Sequence, residues 1–130
     1  MSKLIELAEM CEKASEGSPA LDIDIAMATG LAPGHAKTVR GVAVWFVDNQ
    51  VKTLELQPWS SSLDAAVSLC ERVLPQGGWQ VRKMVTASGN VRSQAVYLGP
   101  PDADDAFASG SSPALALVAA TLRALAKQES

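Results

Sequence analysis

The side chains best suited to chemistry are Arg82, Lys83 and Arg92, with Trp79 and Tyr97 close to them in the chain. Cations beside aromatic rings suit an anion or a nucleotide. The guanidinium groups supply charge-assisted hydrogen bonds to phosphate or carboxylate oxygens, and the rings supply a surface on which a base stacks. Arg82 and Arg92 flank the turn sequence Ala87-Ser88-Gly89-Asn90. A tight hairpin there makes them neighbours across two strands. The competing reading is an ordinary sheet face or edge kept soluble by charge.

Other candidates carry less. Asp102, Asp104 and Asp105 form an acidic stretch, but it lacks the glycine and distal bidentate glutamate of a calcium loop. Asp22 and Asp24 are two positions apart on an expected helix and point in different directions, which makes them poor partners for acid/base work. His35 is the single histidine and has no nucleophile motif around it. Gly77-Gly78 is not followed by the Lys-Ser/Thr of a phosphate loop. Without a metal, triad or dinucleotide signature, the sequence argues against an enzyme and implies no cofactor.

The bulk composition narrows the class. The chain has 130 residues, 48% of them hydrophobic and 19% charged, which suits one globular domain with a substantial core. Its net charge of −3 argues against a nucleic-acid module, which usually shows a basic footprint. The charge is uneven. Residues 1–30 hold two Lys/Arg against six Asp/Glu, residues 31–100 seven against four, and residues 101–130 two against four. No apolar run is long enough to span a membrane, and the Glu-rich N-terminus is not a signal peptide. Cys11 and Cys70 lie in apolar helical patterns outside any C-x-x-C, as reduced thiols of a cytosolic protein do.

The elements that must position these residues follow from periodicity. Lys3 to Ser15 has Leu4, Leu7, Ala8 and Cys11 at helical spacing. Ser18-Pro19 opens a second helix, Ala20 to Thr29, stopped by Gly30. Leu31 to Thr38 reads as a loop, Val39 to Val47 as a strand, and Val51 to Leu56 as its return after Asp48-Asn49-Gln50. Ser61 with Asp64 resembles a capping box for a helix over Leu63 to Leu74. Trp79 to Thr86 and Val91 to Leu98 alternate as a second hairpin, and Gly99 to Gly110 reads as a loop. Ser112-Pro113 then opens a helix with an apolar face of Leu115, Val118, Leu122 and Leu125 and a small-residue stripe of Ala116, Ala120 and Ala124. The expected fold is α+β, in the order ααββαββα, with an antiparallel sheet of two hairpins flanked by helices in a sandwich-like arrangement.

Five segments carry a resemblance. Ser60-Ser61-Ser62-Leu63-Asp64-Ala65-Ala66-Val67-Ser68-Leu69, Gly78-Trp79-Gln80-Val81, Ala95-Val96-Tyr97 and Ser112 through Leu125 resemble small phage and prophage proteins. Those proteins share "ASLDAAL-L", then "G-W-V", then "TPALALC-AALKA". Leu21-Asp22-Ile23-Asp24-Ile25-Ala26 resembles their "ELD--IA-A-G". They are grouped as a phage α/β/α-sandwich domain, and the resemblance spans residues 18–126, with the N-terminal helix of 1–17 outside it. Its motifs are caps, core positions and a tryptophan, so it implies a fold and assigns no catalytic residue. The Ala-rich last helix and the α-β-β-β-α feel of the C-terminal half also resemble double-stranded-RNA-binding domains. Those helices begin with lysines that meet phosphate, whereas this one begins Pro113-Ala114-Leu115.

These readings point to a small phage or prophage accessory protein of the bacterial cytoplasm that acts by binding a host or phage protein or a small ligand, as an antagonist of a host system would. One alternative is a nucleotide or small-molecule site on Arg82, Arg92, Trp79 and Tyr97, with Lys83 beside them. Another is a module that self-associates into a homo-oligomer through the alanine stripe or a sheet edge.

Overall fold

The computed structural model describes residues 3–85, 87–89, 91–99 and 105–129. The elements run α1 (Lys3–Lys13), α2 (Pro19–Ala28), β1 (Lys37–Val39), β2 (Val42–Val47), β3 (Gln50–Glu55), α3 (Leu63–Val73), β4 (Gly78–Val85), β5 (Val91–Leu98), β6 (Ala106–Gly110) and α4 (Pro113–Glu129). The fold is α+β and its strands pair antiparallel, as expected. Each expected hairpin gains a third strand, and the two make separate sheets, β1-β2-β3 and β4-β5-β6, in place of one.

The extra strands have different causes. Val39 to Val47 is broken by Arg40 and Gly41, whose φ values are 51° and 80°. Two successive left-handed residues make the tight turn whose twist matches paired strands. β1 therefore folds back so that Val39 faces Val42, and Lys37 and Thr38 leave the expected loop. Asp48 and Asn49, with φ values of 50° and 66°, repeat this turn between β2 and β3. β6 arises in the expected loop of residues 99–110 and pairs with β5 from Tyr97↔Ala106 to Ser93↔Gly110. Its inward residues, Ala106, Ala108 and Gly110, have weak strand preferences, so pairing and burial create this strand where propensity does not.

The helix starts follow serine chemistry. The Ser18 hydroxyl accepts from Leu21 N–H at 3.2 Å, and Ser112 accepts from Leu115 N–H at 3.2 Å. The cap of α3 is Ser62, which accepts from Ala65 N–H, one residue later than the expected Ser61. Ser60 is occupied elsewhere. Its backbone N–H and its hydroxyl both reach Asp22 Oδ1, at 3.0 and 2.7 Å.

Helix α4 is the packing centre. Every residue from Ala114 to Leu122 is buried, and Ala124 is too. The helix lies on the β4-β5-β6 sheet, with α1 and α3 packed against it. Burial alternates along β5, with Ser93, Ala95 and Tyr97 turned toward the helices. A Cβ built on Gly110 would lie 2.9 Å from Ala116 N, so only glycine lets the end of β6 approach α4 this closely. Among the described residues no helix covers the opposite face of this sheet. β1-β2-β3 is an arm that packs Ala43, Trp45 and Leu54 against the core.

Candidate binding site

The register of the second sheet sorts the five candidate residues. Trp79 pairs with Tyr97, Val81 with Ala95, and Lys83 with Ser93, so these share one face. That face is the one turned toward the helices. Tyr97 is buried and Trp79 is half-buried against the core, while Lys83 lies on the same side but is exposed. Arg82 pairs with Gln94 and Arg92 with Met84, on the alternate positions that make the outer face. The structure therefore makes Arg82 and Arg92 diagonal neighbours. It separates them from Trp79 and Tyr97 by the thickness of the sheet.

The two arginines also have different partners. Arg82 donates from Nε and Nη2 to Gln94 Oε1, at 2.9 and 2.6 Å, and remains exposed. Arg92 donates to the backbone oxygen of Glu12 at 3.1 Å, in the last turn of α1. The Ser111 hydroxyl contacts two carbonyls just past the end of the helix, Ala14 O at 2.7 Å and Ser15 O at 3.0 Å. The Glu12 carboxylate accepts from Arg123 of α4, with Nε at 3.2 Å. Carbonyls at a helix end have no intrahelical donor, so Arg92 and Ser111 complete α1. Arg92 has a structural task, and among the described residues Arg82 has the Gln94 contact.

On the aromatic side, burial raises the Tyr97 hydroxyl above its ordinary pKa, with the neighbouring Cys70 adding to the effect. A Cβ on Gly77 would lie 2.2 Å from the Tyr97 hydroxyl oxygen, so that ring is closed in by backbone. Neither ring can stack a base held at Arg82. Sequence proximity brought these residues together because it ignores the alternation of faces.

What does gather around Arg82 is a cleft of about 290 Å³ lined by Gln80, Arg82, Gln94, Val96, Leu98 and Phe107. Phe107 projects from β6 opposite Val96 and is 62% exposed. Phe107 was hidden from sequence reading because its segment has the composition of a loop. The signal that could have found it is the alternation of small residues with Phe107 and Ser109 over residues 106–110. Chemically, the face offers a cation, two amides, two aliphatic side chains and one exposed ring.

The remaining chemical candidates resolve as structure. Asp22 is buried and held by Ser60, and Asp24 is exposed. Asp102 and Asp104 lie outside the described residues, and Asp105 accepts from Gly99 N–H at 3.0 Å. Among the described residues no cluster of His, Cys, Asp or Glu could hold a metal ion. Cys11 and Cys70 are buried free thiols. Burial pushes the Cys11 thiol up to about 12, helped by Glu12, Asp22 and Asp24, and burial also raises Cys70. Among the described residues no helix is long and apolar enough to cross a membrane. No family model, curated protein or solved structure matches the chain, so the likeness to phage sandwich proteins rests on the sequence motifs alone.

Proposed function

We propose that the protein acts by binding another protein, through the open outer face of β4-β5-β6. The observation that carries this is the placement of Phe107, 62% exposed, on the same uncovered face as Arg82. Arginine and large aromatics are enriched where protein interfaces derive most of their energy, and the amides of Gln80 and Gln94 supply the polar part such surfaces need. A protein partner is favoured over a nucleotide because the Arg82 guanidinium is already engaged by Gln94 Oε1, and the exposed ring of Phe107 lies among Val96 and Leu98, an apolar surround with a polar rim. RNA binding through the start of α4 has no support, since its first turn is Pro113-Ala114-Leu115. A phage or prophage accessory protein that antagonises a host system in the bacterial cytoplasm is the setting in which we place this activity, on the sequence resemblance.

The test is site-specific photo-crosslinking in bacterial cells, with the reactive residue at position 107 or 96 and a control at position 127. We expect one discrete adduct from positions 107 and 96 and none from 127. With the partner purified, Arg82→Ala and Phe107→Ala each weaken binding by about tenfold or more, the loss expected of central interface residues. Equal affinity for both variants and the unaltered protein would remove this face from consideration.

A further inference from the structure

We propose that the β1-β2-β3 arm is a self-association surface, through which two copies of the chain stack face to face in a reversible homodimer. This surface is on a different sheet from Arg82 and Phe107, so the two readings stand or fall separately.

The reasoning starts from the strand sequence. Val42-Ala43-Val44-Trp45-Phe46-Val47 is apolar at every position, the pattern of a strand covered on both faces. Among the described residues of one copy, only one face is covered. The register puts Ala43, Trp45 and Leu54 together on the side that packs against the core. The other side carries Val39, Val42, Val44, Phe46 and Val51. Of these, Val39 is 55% exposed, Phe46 67% and Val51 58%. A contiguous apolar sheet face of this kind marks a contact surface.

The edges of that face suggest what covers it. Lys37 lies on β1, in the row Lys37↔Val44↔Thr53. Glu55 lies on β3, in the adjacent row Val39↔Val42↔Glu55. Both are exposed and belong to the apolar side, at its opposite edges. A twofold axis running along the strands lays β1 of one copy over β3 of the other. Each Lys37 then comes within one residue pair of the other copy's Glu55, and the contact repeats by symmetry. The face is therefore self-complementary: apolar at the centre, basic at one edge and acidic at the other. The alanine stripe of α4, the other candidate for self-association, is buried within the single copy and unavailable.

Size sets the strength. Three strands of up to six residues present on the order of 300 Å² per copy at ordinary strand spacings, well under the roughly 800 Å² per partner of a standard interface. The dimer is accordingly weak and concentration-dependent.

Sedimentation equilibrium on the full chain, from about 10 µM to about 1 mM, is the experiment. The weight-average mass should rise from one copy toward two across this range. Phe46→Asp changes a 67% exposed position, so it should leave the circular dichroism and melting unchanged while keeping the protein monomeric. Lys37→Glu and Glu55→Lys should each weaken self-association by about tenfold through paired like charges. An equimolar mixture of those two variants should recover it, because every cross-copy contact is then between opposite charges. A strict monomer at the highest concentration would overturn the proposal. So would a dimer indifferent to Phe46→Asp, or a mixture that associates no better than its components.

Discussion

Ser60 and Asp22, 38 positions apart, are joined twice, through the serine backbone N–H at 3.0 Å and its hydroxyl at 2.7 Å, both to Asp22 Oδ1. The same hydroxyl oxygen accepts from Ser18 N–H at 3.0 Å. A buried carboxylate thus fixes the loop before α3 onto the start of α2. Removing the acceptor leaves the buried Ser60 N–H unsatisfied, while the hydroxyl keeps only Ser18 O at 3.1 Å, which costs about 1–3 kcal/mol. Asp22→Ala and Ser60→Ala should each lower stability by that order in urea titration. The double variant should lose less than their sum, since both remove one network. Additive losses would show that the two residues act separately.

Gly17 sits against that same loop. A Cβ there would lie 2.1 Å from Ser60 O, a backbone atom that cannot swing away. Gly17→Ala should destabilise by about 1–3 kcal/mol, the range for overpacking a tight contact. Gly34 is the control, with nothing within 4 Å and no positive φ. Gly34→Ala should be neutral, or stabilising by up to about 1 kcal/mol through the unfolded state. Paired thermal melts decide between them.

The two arginines of the second hairpin should separate by readout. Arg92→Ala removes the donor to Glu12 O and should cost about 1 kcal/mol of stability. Arg82 is exposed, and Arg82→Ala should leave stability within about 0.5 kcal/mol of the unaltered protein. A binding defect in Arg82→Ala with unchanged melting would assign it to the surface.

The Cys11 thiol is the clearest pH probe. Its folded pKa is raised to about 12, above the ordinary 9.0, chiefly by burial. The neutral thiol is the form the fold favours. Its contribution is fully present below pH 9 and is lost as pH rises through 9 toward 12. Chemical denaturation at pH 8, 9.5 and 10.5 should show falling stability, and Cys11→Ser should flatten the slope. At pH 8 the folded protein should alkylate at Cys11 far more slowly than the urea-unfolded chain, because the thiolate is the reactive form.

Much of this architecture can be read from the chain. The capped helices at Pro19 and Pro113 and the faces of Trp79 to Leu98 follow from local chemistry and period. Three features do not. The strand over Ala106–Gly110 consists of small residues that only pairing with β5 makes extended. The Arg40-Gly41 turn lies inside an apolar run that hides it. The candidate residues divide between two faces for a geometric reason, since Trp79 and Arg82 are three positions apart and therefore on opposite sides of the sheet. The sharing of one face by Phe107 and Arg82, across β5, depends on the sheet order β4-β5-β6, which is long-range information.

The end of α1 has a bearing on how the chain is made. Its last carbonyls are met by Arg92 and Ser111, and its Glu12 by Arg123, between 80 and 111 positions further along. During synthesis α1 emerges long before any of these partners exists. Eleven residues are too few to hold a stable isolated helix in water. Although translated before its partners, α1 therefore settles only once Arg92, Ser111 and Arg123 have been made, and until then it is open to proteases and chaperones.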